Sequence, residues 1–203
     1  MLAYTIEAAI KSALASEVFV CTEDEEIARV AEYYGARVFP IPESMAGDEV
    51  SSTVPCLSLY EKATRDGQVI DYIFNLQPTS PLRTEYDIRR AVEILTQSGA
   101  DFLVSATPID PHYFHWAVVE EQGNWKMFFG EEFMKERTML PPVFRPNGAI
   151  KLGRAIRVQK AGHFFGHPLT VHMMPEERSI HVATAFDLAC VRAMLNMNCL
   201  EDP

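Results

Sequence analysis

Tyr72-Ile73-Phe74-Asn75-Leu76-Gln77-Pro78-Thr79-Ser80-Pro81-Leu82-Arg83-Thr84 decides how this 203-residue chain is read. Residues 72–76 are apolar on both faces, which predicts a strand covered on both sides, as in a parallel sheet. Pro78 and Pro81 end the strand and stiffen the loop that follows. Glu85 to Ser98 then predicts a helix, closed by Gly99. In an open α/β sheet the ligand crevice lies at the carboxyl ends of the strands, where this loop falls. Gln77 offers an amide that can both donate and accept hydrogen bonds, and Arg83 can pair with a carboxylate or phosphate. A plainer reading is a rigid turn with a helix cap and a surface arginine.

The same alternation extends outward. Upstream, the apolar spacing predicts a helix over 3–15, a short strand Val18–Cys21 and a helix over 24–34. Thr22 is expected to cap that helix, with Glu25 completing a capping box, and Gly35 to stop it. A strand over 36–39 ends at Pro40 and Pro42, and a loop over 43–50 leads to a helix over 51–65. Downstream come a strand over 102–106, a strand at 149–152, a helix near 154–161, a strand near 169–174 and a last helix over 185–197. Strands alternating with crossover helices predict a single domain, 1–203, of α/β class with a doubly wound, mostly parallel sheet. Residues 107–147 break the rhythm. Trp116–Glu120 and Trp125–Phe129, joined by Gln122-Gly123-Asn124, predict a protruding β-hairpin. An apolar hairpin is not stable alone. It is expected to be an inserted dimerisation arm, giving a homodimer, or else to fold back on its own sheet.

The formal net charge is −10 with no basic stripe, which argues against a nucleic-acid polymer but leaves small anions open to local donors. No run of about 18 apolar residues is present, so no membrane span is expected. Residues 1–17 lack a basic leader region and carry Glu7 and Lys11, so they read as an amphipathic helix. Cys21, Cys56, Cys190 and Cys199 form no metal-ligand spacing and read as reduced thiols of a cytoplasmic protein. Among the six histidines, His163 and His167 could share a helix face, although Gly166 and Pro168 favour a loop, and no cysteine or carboxylate completes a zinc set.

The segment 75–84 closely resembles the LQPTSPLR signature of the acylneuraminate cytidylyltransferase (CMP-N-acetylneuraminic acid synthetase) family, whose fold is nucleotide-diphospho-sugar transferase-like. Further similar segments follow in the family's order. Tyr4–Ala9 resembles its first helix, and Val18–Ala28 its strand-to-helix unit. Asp48 with Val50-Ser51-Ser52 is similar to its D-x-A-S-S segment, Arg145-Pro146-Asn147-Gly148-Ala149-Ile150 to its R-P-N-G-A-I, and Phe164-Phe165 to an aromatic pair lining the acylneuraminate pocket. The resemblance implies CTP and a sialic or legionaminic type nonulosonic acid as small-molecule partners, joined with loss of pyrophosphate. It implies nucleotide contacts at Val50 and Ser52. It implies sugar contacts at Gln77, Arg83, Arg145, Asn147, Phe164 and Phe165. Lys151 stands where the family has tyrosine and could attract the substrate carboxylate. For the two phenylalanines, core packing is the alternative.

The resemblance also marks departures. It begins at the family's first helix, so an N-terminally truncated homologue is expected, and no stretch clusters glycines with Lys or Arg as a triphosphate loop would. The strand that precedes that loop in the family is central, so its loss would leave an unpaired edge or a gap. The family uses Mg²⁺, but His181 and Ala183 stand at the two metal-binding aspartate positions, and Mg²⁺ prefers hard oxygen ligands. No metal ligand and no catalytic residue is therefore assigned. Two readings stay open beside a transferase: a non-catalytic sugar- or nucleotide-binding homologue, and a decayed fragment.

Overall fold

The computed structural model describes residues 1–47 and 49–196. The elements run α1 (Leu2–Ser12), β1 (Phe19–Thr22), α2 (Glu25–Tyr33), β2 (Arg37–Pro40), α3 (Thr53–Arg65), β3 (Tyr72–Asn75), α4 (Glu85–Ser98), β4 (Phe102–Ile109), α5 (Pro111–His115), β5 (Val118–Glu121), β6 (Asn124–Met127), β7 (Val143–Arg154), α6 (Ala155–Ala161), β8 (Leu169–Met173) and α7 (Ala185–Asn196). Asp48 and Cys199, singled out above, lie outside the described residues, as does the expected end of the last helix at 197.

Local chemistry sets several boundaries. Thr84 caps α4 in a full capping box with Asp87, and Gly99 closes the helix at φ 69°. For α2 the cap is Asp24, whose carboxylate accepts from the backbone N–H of Glu26 and Ile27. The capping box expected from Thr22 and Glu25 does not form. Thr22 stays in β1, and its hydroxyl accepts from the Asp24 N–H. A carboxylate two residues nearer the helix satisfies its orphan donors more directly.

The fold is mixed α/β. A four-stranded sheet has the order β3-β7-β4-β8, with β4 and β8 parallel and β7 antiparallel to both β3 and β4. The reversal of β7 has a simple cause. Its connection from β4 is the excursion over 110–142 rather than a crossover helix, so the chain re-enters the sheet from the end it left. Strands β1 and β2 form a separate parallel pair. Hairpin β5–β6 is a two-stranded sheet of its own, turned by Gln122 (φ 53°) and Gly123 (φ 80°), the positive pair that a two-residue hairpin loop requires. Aromatic side chains hold the excursion together, with Phe114 stacked on Phe129 at 4.3 Å, while Trp125, Phe128 and Tyr113 are exposed.

Helices cover both faces of the main sheet. Ala8 of α1 and Ile88, Ala91 and Leu95 of α4 pack against Leu103, Ile150 and Leu152. On the other face Phe102, Val158 of α6 and Phe164 form a second cluster with Leu57 of α3 and Ile73. Among the described residues no helix is long and apolar enough to cross a membrane, and Cys21, Cys56 and Cys190 are free thiols.

Candidate functional site

The carboxyl end of β3 meets the start of α3. Asn75, buried at the last position of β3, donates through Nδ2 to the backbone oxygen and to the Oγ of Ser52, both at 3.0 Å. Register places Lys151 of β7 opposite Asn75. The Lys151 Nζ lies 3.4 Å from Ser52 Oγ, and Gln77 Nε2 lies 3.5 Å from the same oxygen. Three donors thus converge on one hydroxyl, which has only two lone pairs. At least one donor is left for a ligand oxygen. Lys151 is half-buried and, among the described residues, pairs with no carboxylate. Burial pushes its ammonium below the ordinary lysine range, against a smaller opposing effect from Cys56. A partly desolvated cation without a nearby carboxylate gains from any anion that reaches it.

Gly148 closes the same corner at φ 76°. A Cβ there would sit 2.7 Å from Gln77 Oε1 and 3.5 Å from His181 Nδ1, so Gln77, Gly148 and His181 are neighbours. The segment carrying His181 is tied to the Gln77–Arg83 loop by the Val182 N–H donating to the Thr79 oxygen at 2.7 Å. Gly148→Ala is expected to destabilise the fold by about 1–3 kcal/mol, from backbone strain, and to push Gln77 off Ser52. Chemical denaturation and the affinity for a sugar acid would check it; unchanged values for both would refute this placement of Gln77.

The structure gives several sequence-derived candidates other tasks. Arg83 is 2% exposed and turned inward. Its Nη1 donates to the oxygens of Ala149 at 2.6 Å and Gln77 at 3.4 Å, stapling the loop to β7. Burial lowers its pKa to about 10, with the Asp87 charge opposing. The surface arginine considered above is thus absent: the guanidinium is turned into the protein, where its Nε and Nη2 have no hydrogen-bond partner. Asn147 is also buried and fully engaged. Its Oδ1 accepts from Ser105 Oγ at 2.5 Å and from the Ala149 N–H at 3.1 Å, while its Nδ2 donates to Ser179 Oγ at 2.8 Å. Both side chains are buried and hydrogen-bonded within the protein. Phe164 is wholly buried against Phe102 and Val158, so the core alternative describes it, while its neighbour Phe165 is 47% exposed. Arg145 is exposed on β7 opposite Thr107, and Val50 is half-buried before α3.

Two features escaped the sequence reading. The first is Asn75, where a polar residue at the end of a buried apolar run is itself a signal. The second is a buried ionic network. Asp87, fully buried, accepts from Arg178 Nη2 at 3.0 Å and Nε at 3.1 Å and lies 3.3 Å from His172 Nε2. It joins α4, β8 and the turn over 176–178. No local pattern pairs residues so far apart in sequence.

The expected Mg²⁺ position does not fit the ion. His181 presents an imidazole and Ala183 no ligand. Asp187 Oδ2 is taken by the backbone N–H groups of Ala183 (3.1 Å) and Thr184 (2.8 Å) and by Thr184 Oγ1 (2.7 Å), which together cap α7. These hydrogen bonds, that of the Thr184 hydroxyl first, hold the Asp187 carboxyl below the usual range. Among the described residues, no three His, Cys, Asp or Glu side chains come together to hold a metal ion.

Comparison with known proteins adds the following. The family model described as Cytidylyltransferase matches residues 1–122. The CMP-N,N'-diacetyllegionaminic acid synthase of Legionella pneumophila is 29% identical over 203 residues, covering 98% of this chain and 86% of that protein. A pseudaminic acid cytidylyltransferase of Campylobacter jejuni is 26% identical over 200 residues, covering 98% and 86%. Among solved structures, a CMP:2-keto-3-deoxy-manno-octonic acid synthetase complexed with CTP superposes with a TM-score of 0.68 at 15% identity, covering 96% of this chain and 87% of that one.

Proposed function

The chain belongs to the cytidylyltransferase family, and from that premise we propose that it binds a nonulosonic acid of sialic or legionaminic type at the Ser52–Gln77–Lys151 corner. Lys151 takes the carboxylate, and Gln77 and Asn75 address hydroxyl groups. The observation that carries this is the half-buried Lys151 ammonium without a carboxylate partner, 3.4 Å from Ser52. The relatives' names, which specify sugar acids, agree with it.

Transfer from CTP is the family's activity, and Val50 and Ser52 are the nucleotide contacts that the resemblance implies. The residues at 181, 183 and 187 do not fit Mg²⁺, which favours a second reading, in which acid binding persists while transfer is slow. A homodimer through the 107–147 arm accompanies either reading, supported by exposed Trp125 and Phe128.

The test has two parts. Calorimetry with the acid alone and with CTP alone is expected to show saturable binding of the acid and only weak binding of CTP. Pyrophosphate release with CTP, Mg²⁺ and the acid is expected to stay near background. Robust turnover, or micromolar CTP affinity, would refute the slow-transfer reading. Absence of acid binding would refute the site.

A further inference from the structure

Residues 178–182 are pinned to the protein on both sides of one free imidazole. Arg178 is held by Asp87 through hydrogen bonds of 3.0 and 3.1 Å. Ser179 Oγ accepts from Asn147 Nδ2 at 2.8 Å and donates to the Pro175 oxygen at 2.7 Å. The Val182 N–H donates to the Thr79 oxygen at 2.7 Å. His181 stands between these anchors. Its side chain is half-buried, and among the described residues neither ring nitrogen makes a hydrogen bond. Asp187 is near enough to feel the ring electrostatically. Its carboxylate, however, bonds to Ala183 and Thr184 and not to the imidazole.

Gly148 sets this ring against Gln77. The Cβ that glycine lacks leaves a notch, with Gln77 Oε1 and His181 Nδ1 on its walls. Gln77 Nε2 turns the other way, to Ser52 Oγ at 3.5 Å, and Oε1 has no donor among the described residues. The notch thus presents one open acceptor and one open imidazole nitrogen. An imidazole carries at least one N–H in either charge state, so Nδ1 donates in the tautomer that places a proton there. Acceptor and donor together match a group that donates and accepts at once, which is a hydroxyl. A carboxylate only accepts and would face the Oε1 lone pairs. Its place is with Lys151, at the Nε2 end of Gln77.

We propose that His181 is a ligand-contacting residue which, with Gln77, reads one hydroxyl of the bound acid and selects against acids that lack it. This rests on the reading of the Ser52–Gln77–Lys151 corner as an acid site. The backbone on either side of the ring is fixed before a ligand arrives, so the contact costs little freedom. A site built to bond a hydroxyl rejects the analogue without one, because its own polar groups are then left unpaired.

The experiment is calorimetry of the 203-residue chain and two variants with N-acetylneuraminic acid and its single-deoxy analogues. His181→Phe keeps a ring and removes both nitrogens; it is expected to weaken binding of the acid about tenfold. His181→Asn gives up the ring but offers an amide N–H at the reach of Nδ1, and should stay within about threefold of the unaltered chain. If the ring served only to pack, that order would reverse, which overturns the proposal. One deoxy analogue should lose about tenfold against the unaltered chain and lose nothing more in His181→Phe, the non-additivity that marks a direct contact. Losses that add for every analogue overturn the assignment. Should the phenylalanine variant fail to fold, His181→Ala takes its place in the same cycle. Unchanged affinity in the ring-nitrogen variant overturns the role of His181 and leaves the acid site standing. Absence of acid binding by the unaltered chain overturns both.

Discussion

Asp87→Ala is expected to lower unfolding free energy by about 3–5 kcal/mol, the cost of leaving a buried partner charge uncompensated. Arg178 would lose both of its hydrogen bonds to Asp87 inside the protein. The α4 capping box would lose its carboxylate as well. Asp87→Asn, which keeps an acceptor of the same shape, should cost less. Urea denaturation of the three proteins measures this, and a loss below about 1 kcal/mol for the alanine variant would contradict the network's role. The same group predicts a pH dependence. Burial alone would raise the Asp87 carboxyl, but hydrogen bonds from His172, Arg178 and the Thr84 backbone, with the Arg178 charge, outweigh it and lower the pKa from 3.8 to about 2. A carboxyl depressed in the folded state stabilises above its unfolded pKa. The contribution is thus complete above about pH 4, lost as pH falls toward 2, and on the order of 2 kcal/mol. Neutralising the acid removes less than truncating it, because a protonated carboxyl still fills its place and keeps some hydrogen bonds. In Asp87→Ala the acid limb of the stability curve should flatten.

Lys151→Met is expected to weaken binding of a nonulosonic acid about tenfold to a hundredfold, the range for one hydrogen bond to a charged group. The fold should tolerate it, because methionine occupies the same half-buried position without a desolvated charge. Affinity for the acid should also decline as pH rises through the lowered lysine pKa, since the free ammonium is the binding form. The methyl ester of the acid is the control. Its affinity should be weak for both proteins and indifferent to the substitution. If ester and acid lose affinity equally in Lys151→Met, the lysine acts on the corner's shape and not on the carboxylate.

Much of the fold was legible because it is written in local signals. The run 72–76 and the helix to Gly99 were bounded by proline, a cap and a glycine, and α4 spans the expected Glu85–Ser98. The turn at Gln122-Gly123 was equally local. The direction of β7 was not, because antiparallel entry depends on where the 110–142 excursion returns the chain. The separation of β1–β2 from the main sheet was foreseen only as a gap or an unpaired edge.

The site divides along the same line. The sequence alone determined which residue types stand at the end of β3 and along β7, and with them Gln77, Ser52 and Lys151. It could not tell a ligand-facing polar side chain from one consumed by the fold. Arg83 and Asn147 carry the family's wording yet are buried and hydrogen-bonded to the protein, while Asn75 joins the corner without having been nominated. Only tertiary structure decided this. Burial and hydrogen-bond partners are set by residues 23 to 99 positions away, as in Ser52 with Asn75 and Ser52 with Lys151, and no local pattern encodes which donor is left over.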